Sequence, residues 1–216
     1  NLEKKKSFKE NSPLGGKDPY SSSKAMSERL AKIYLDRVYN KTSIGLATVR
    51  AGNVIGGGDF AENRIIPDII KYILNKKKLI LRNPKSHRPW QHVFDVLSGY
   101  LNLGIKLSKN KKKFSGPYNF GPKIKKNYTV LKLTKNFLDK LIKKKYEIKF
   151  YKKNLFESNY LNLNSNKSRT KLKWETKYSN SKMIEKTIDW YKIFINEPNK
   201  IEQFSKKQIL DYFLKL

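Results

Sequence analysis

The short run from Ile44 to Val49 constrains the fold more than any other stretch. It is apolar and partly β-branched, and it stops at Ala51-Gly52-Asn53 and Gly56-Gly57-Gly58. That pattern predicts a buried strand broken off by a glycine-rich loop. Ahead of it, Asp18 and Pro19 supply an N-cap and a first helical residue. Leu30, Ile33, Tyr34 and Val38 then recur at three- and four-residue spacing, so a helix is expected to about Asn40. Beyond the glycines the two periodicities keep alternating. Helices are expected over Ile65–Leu74, from an Asp95 cap to about Leu107, over Val130–Ile142, near Lys167–Leu172 and Lys182–Phe194, and over Ile201–Leu216. Extended segments are expected at Leu79–Arg82, Trp90–Phe94, Tyr118–Phe120 and Glu147–Tyr151, and Lys109–Lys113 reads as a solvated turn. Such alternation gives an α/β fold.

Composition removes several function classes. The chain has no cysteine and only His87 and His92, which excludes disulfides, thiolate zinc sites, a cysteine nucleophile and a histidine-rich metal site. No apolar run approaches the ~18–20 residues that cross a bilayer, and Asn1–Glu10 is charged, without a signal-peptide core. A soluble, cytoplasmic protein without membrane partners is expected. The formal charge of +30 raises the alternative of a polyanion-binding module. It comes from 41 Lys against 7 Arg, spread along the chain in runs such as Lys76–Lys78, Lys111–Lys113 and Lys143–Lys145. Nucleic-acid binders cluster their basic residues and favour arginine, so no nucleic-acid partner is expected and solvated lysine faces are the plainer reading.

Three segments carry chemistry. In Asp18-Pro-Tyr-Ser-Ser-Ser-Lys24, Tyr20 and Lys24 fall on one helix face. An ammonium beside a phenol favours the phenolate, which can take a proton from a sugar hydroxyl. The spacing alone is weak, because Tyr72/Lys76, Tyr128/Lys132 and Tyr178/Lys182 share it. The setting separates the first pair: a Gly-Gly-x-Asp-Pro loop delivers it and serines lie between. In Arg50-Ala-Gly-Asn-Val-Ile-Gly-Gly-Gly-Asp59 a strand ends in small residues, where a ring or sugar could approach the backbone, and Asn53 can both donate and accept. Arg64, Arg82 and Arg88 put three of seven arginines into one short stretch, and a guanidinium fork suits a diphosphate. Surface ion pairing is the plain alternative for them, an ordinary turn for the glycine loop, and a packed side chain for His92.

These segments occur together, and in this order, in one family. The chain resembles extended short-chain dehydrogenases/reductases that act on nucleotide sugars, and within them the CDP-glucose 4,6-dehydratase subgroup. Further strings carrying the likeness are Arg64-Ile-Ile-Pro-Asp68, Leu81-Arg-Asn-Pro84, Arg88-Pro-Trp-Gln-His-Val93, Leu97-Ser-Gly-Tyr-Leu101 and Tyr118-Asn-Phe-Gly-Pro122. Epimerase relatives usually carry Arg-Asp where this chain has Arg88-Pro89, and an epimerase is the alternative within the family. The resemblance implies the C-terminal part of a Rossmann-like doubly wound sheet plus a small α/β substrate-binding domain. Residues 1–60 would finish the NAD-binding domain. Residues 61–216 would mainly hold the nucleotide sugar, with about 90–108 returning to the first domain.

It implies NAD as cofactor, CDP-glucose as substrate, and a homodimer when full length. Tyr20 would take the proton of the sugar 4-hydroxyl as C4 is oxidised, and Lys24 would hold the nicotinamide ribose. Ala51 and Gly52 would line the cofactor. Asn53, Arg64, Arg82, Arg88 and Asn119 would hold the nucleotide sugar, Arg88 at the diphosphate. Water would leave across C5–C6 and hydride would return to C6. The family's glycine-rich dinucleotide loop, and the segment handling the C5 and C6 protons, precede the tyrosine and do not occur here. On the order of a hundred upstream residues are therefore expected, each βαβ unit taking ~30 or more. Leu161-Asn-Leu-Asn164 replaces Leu-x-Leu-Asp, and Leu172-Lys-Trp174 replaces Leu-Gly-Trp.

Overall fold

The computed structural model describes residues 7–16, 18–75, 78–123, 128–142, 145–151 and 160–214. Lys76 and Lys77, Lys143 and Lys144, and the chain's first six residues lie outside the described residues.

Helix α1 (Pro19–Ile33) starts as its cap predicts: the Asp18 Oδ1 accepts from the Ser21 N–H at 2.9 Å, with Pro19 in the first turn. The Ser21 hydroxyl and backbone bonds hold the Asp18 carboxyl below the usual carboxylate range. The helix then loosens into a π-helical turn over Tyr34–Val38, closed by Tyr39 N–H donating to Tyr34 C=O at 2.8 Å. The stripe Leu30, Ile33, Tyr34 and Val38, whose spacing predicts a buried face, is exposed, and α1 buries no residue. No described element covers that face.

Strand β1 (Ala47–Ala51) pairs in parallel with β6 (Gly116–Phe120), in the register Ala47 to Gly116 through Ala51 to Phe120. The expected buried strand thus begins three residues late and is only half-buried. Side chains alternate across a strand, and the face carrying Val49 stays open. The glycine-rich loop is interrupted by β2 (Val54–Ile55), which runs parallel to β5 (Gln91–His92). Strand β3 (Leu79–Leu81) takes a parallel partner in β8 (Ile148–Phe150), and β4 (His87–Arg88) an antiparallel one in β7 (Tyr128–Thr129). The α/β class is as expected. The parallel pairs need crossovers, and helices supply them.

Those helices are α2 (Ile65–Asn75), α3 (Val93–Lys109), α4 (Lys111–Phe114), α5 (Val130–Leu141), α6 (Asn166–Leu172), α7 (Asn180–Asn196) and α8 (Ile201–Phe213). Two apolar cores form. One joins Ile69 and Ile70 of α2, Leu79 and Leu81 of β3, Phe137 of α5 and Ile184 of α7. The other joins Leu103 of α3, Phe114, Tyr118 and Phe120 of β6, Leu172 and Trp174.

Two local expectations need correction. Asp95 does not cap α3. His92 does: its backbone is extended (φ −78, ψ 147) and its Nδ1 accepts from the Phe94 N–H at 3.2 Å. Asp95 is already helical and fully buried, and its Oδ1 accepts from the Tyr212 hydroxyl and the Lys177 N–H, each at 2.7 Å. It therefore ties α8 and the approach to α7 onto α3. Lys109–Lys113 is not a turn either. The α3 helix runs on to Lys109, and Asn110 caps the single turn of α4 by accepting from the Lys113 N–H at 3.0 Å. His92 is a packed histidine. Burial pushes its pKa down to about 4, and Phe94 and Tyr178 meet its ring edge-on.

Candidate active site

Tyr20 stands 72% exposed at the head of α1, where two cavities meet. Lys24 is one turn on, its Nζ 5.6 Å from the Tyr20 ring centroid. The ammonium–ring approach does not single the pair out, since Lys132 Nζ lies 4.9 Å from the Tyr128 ring. The cavities do. Tyr20 lines both, whereas Tyr72, Tyr128 and Tyr178 line neither. Tyr72 accepts from Glu147 N–H at 3.2 Å, and Tyr178 packs on Tyr212, while Lys76 lies outside the described residues.

The first cavity, of about 430 Å³, gathers Tyr20, Gly52, Asn53, Arg64, Arg82 and Arg88. Asn53 follows β1, Arg82 follows β3 and Arg88 closes β4, so strand ends deliver them, as α/β folds deliver ligand groups. Arg88 is 5% exposed and donates to its neighbour's carbonyl, His87 C=O, at 3.0 Å. Arg82 donates to Asn63 C=O at 2.8 Å. Arg64 pairs with Asp59 at 3.2 Å on the surface, the plain alternative, while still lining the cleft.

The second cavity, of about 900 Å³, is lined by Tyr20, Lys24, Ala51 and Asn119, with Ala47 and Thr48. Asn119 therefore faces away from the arginine cleft. It is fully buried, and its Nδ2 donates to the Phe8 and Asn164 carbonyls at 3.0 and 3.2 Å. Among the described residues its Oδ1 has no hydrogen-bond partner.

The glycines and serines are mostly engaged by the protein itself. A Cβ on Gly52 would sit 2.7 Å from the Pro89 carbonyl oxygen, and one on Gly57 would enter the Trp190 indole. The ring that approaches the glycine loop is thus the chain's own. Ser21 serves the α1 cap, and Ser23 donates to Tyr20 C=O at 2.8 Å. Three contributors had no role assigned from the sequence. Asp68 and Trp90 line the arginine cleft. Glu28 clamps α1 to β1, accepting from Arg50 Nε at 2.8 Å, Arg50 Nη2 at 3.0 Å and the Thr48 hydroxyl at 2.7 Å.

A sequence profile described as GDP-mannose 4,6 dehydratase matches residues 2–187. The chain belongs to this dehydratase family. It is 36% identical over 214 residues to the CDP-glucose 4,6-dehydratase of Salmonella typhimurium, covering 95% of this chain and 58% of that protein. The chain thus spans less than two thirds of that relative's length. Among solved structures, the dTDP-glucose 4,6-dehydratase of Bacillus anthracis in complex with NAD matches with a TM-score of 0.72 and 26% identity, over 90% of this chain and 58% of that one. The Streptomyces venezuelae dTDP-glucose 4,6-dehydratase, with NAD and TYD bound, shares the fold at a TM-score of 0.75 and 23% identity, again over 90% and 58%. No described helix is long and apolar enough to cross a membrane.

Proposed function

We propose that the chain is part of a cytoplasmic, homodimeric, NAD-dependent CDP-glucose 4,6-dehydratase. Residues 1–60 would serve mainly the cofactor and 61–216 mainly the nucleotide sugar. One observation carries the reading: Tyr20 borders both cavities, with Lys24 in one and Asn53, Arg64, Arg82 and Arg88 in the other. The 36% identity to a CDP-glucose enzyme supports the choice of nucleotide.

The second cavity fits the nicotinamide-ribose end of NAD. It offers a phenol, an ammonium, the small walls of Ala47 and Ala51, and a buried acceptor on Asn119 that no described residue partners. The sequence contains no glycine-rich turn for the pyrophosphate. When bound, NAD accepts hydride from the sugar and later returns it. Tyr20 takes the 4-hydroxyl proton, and Lys24 stabilises the phenolate that does so. The resulting 4-ketone acidifies C5–H, so water leaves across C5–C6. The three guanidinium groups meet the diphosphate, Arg88 nearest the buried end, and Asn53 orients the sugar.

Tyr20→Phe in the full-length enzyme tests this. The ring stays and the fold should survive in circular dichroism. General acid–base groups contribute typically ~10²–10⁴-fold, so kcat on CDP-glucose should fall by about that much. Tyr72→Phe, Tyr128→Phe and Tyr178→Phe should leave it within roughly threefold. Unimpaired NADH formation in stopped-flow absorbance would remove Tyr20 from its role.

A further inference from the structure

Three arginines suit the first cavity to an anion, yet two carboxylates share its walls. Asp59 is accounted for. It pairs with Arg64 at 3.2 Å and accepts from the Ala61 N–H at 3.0 Å. Asp68 is not. It stands in the first turn of α2, half-buried between the buried residues Pro67 and Ile69. Its carboxylate accepts no hydrogen bond from any described residue; it only feels the charges of Arg82, Lys71 and Glu62 at longer range. Burial pushes its pKa above the ordinary value.

A half-buried acceptor in a ligand cleft is satisfied when the ligand brings a donor. The anionic parts of a nucleotide sugar bring none and belong with the arginines. The sugar hydroxyls bring donors common to every nucleotide sugar, whereas a pyrimidine base brings one at a single discriminating position. Cytosine carries an amino donor at C4, whereas uracil and thymine carry a carbonyl acceptor there. A carboxylate accepts from the amine and repels the carbonyl.

We propose that Asp68 is the residue that selects a cytidine nucleotide, its carboxylate accepting from the base's exocyclic amine in the cleft lined by Arg82 and Arg88. The inference rests on the reading of that cleft as the nucleotide-sugar site. Arg82, which donates to the Asn63 carbonyl at 2.8 Å, lines the same cleft.

Titration calorimetry of CDP, UDP and dTDP into the full-length enzyme tests it. The unsubstituted protein should bind CDP ~10–100-fold more tightly than UDP or dTDP, the usual size of one carboxylate–amine discrimination. In Asp68→Asn the carboxamide can accept or donate, so the preference should shrink to within about threefold, chiefly through weaker CDP binding. Asp68→Ser provides the same test should the first variant not fold. An unchanged CDP preference overturns the proposal. So does an equal loss for all three nucleotides, which would make Asp68 a prop for Arg82. If the unsubstituted full-length enzyme binds no nucleotide, the reading of the cleft falls and the proposal with it. CDP preference that survives in the variants overturns only the role of Asp68.

Discussion

Lys173 ends helix α6 with φ 56 and ψ 36, in the left-handed region. Glycine enters that region without steric cost, while an L side chain is strained by roughly 1–2 kcal/mol. The family pattern has glycine at this place, so the departure read from the sequence is a strained one. The strain is tolerated because its neighbour is firmly anchored: Trp174 is buried, and its Nε1 donates to the Asp95 carbonyl at 2.9 Å. Lys173→Gly should therefore raise stability by roughly 0.5–1 kcal/mol, after the extra chain entropy of glycine is subtracted. A urea midpoint that moves up with an unchanged slope is the expected result. A lower midpoint would mean that the lysine side chain contributes more than its backbone costs.

Helix α1 poses a different problem at the scale of the element. It carries Tyr20 and Lys24 but buries no residue, so apolar packing does not hold it to the sheet. Glu28 does, through Arg50 and Thr48 of β1, and Arg50 reaches on to the Glu10 carbonyl at 3.1 Å. Burial works against the Glu28 charge, but the Arg50 and Thr48 hydrogen bonds outweigh it and leave the pKa below its ordinary value. A depressed carboxylate contributes stability above its unfolded pKa, and that contribution is lost as pH falls through the folded value. The pair is partly exposed, at 21% and 16%, so the loss from Glu28→Gln should be about 1–2 kcal/mol, below the figure for a fully buried pair. Hydrogen exchange should show where it falls. Amides of α1 should exchange faster in Glu28→Gln while those of β6, held by β1 and the second core, keep their protection. Uniform acceleration would mean that the clamp supports the whole sheet and not the helix.

At the scale of the whole molecule, 48 basic residues face 18 acidic ones, so most lysines have no anionic partner. Those that pair do so mainly within a helical turn and in the open, as Lys206 with Glu202 at 2.6 Å, with side chains 70% and 79% exposed. Such exposed pairs add little, whereas a net charge of +30 repels itself across the compact state. Salt screens both, with a Debye length of ~10 Å at 0.1 M. Repulsion is the larger effect here, so the Tm should rise by several degrees between about 20 mM and about 500 mM NaCl. A Tm that falls with salt would show that the surface pairs dominate.

What the sequence determined by itself was local. The Asp18 cap, Pro19 and most helix and strand positions rest on hydrogen bonds or periodicities spanning a few residues. The shared face of Tyr20 and Lys24 is legible for the same reason, as are Asn53 and the arginines that follow strand ends. What the tertiary structure decided rests on residues far apart in the chain. Asp95 looks like a cap until Tyr212, 117 positions away, donates to it. The glycine loop looks open until Trp190 of α7 lies over Gly57. Asn119 joins the second cavity because Phe8 and Asn164 draw its amide there, 111 and 45 positions away. The apolar stripe on α1 has the right period for burial, but period fixes only which residues share a face, and whether that face is covered depends on what packs against it.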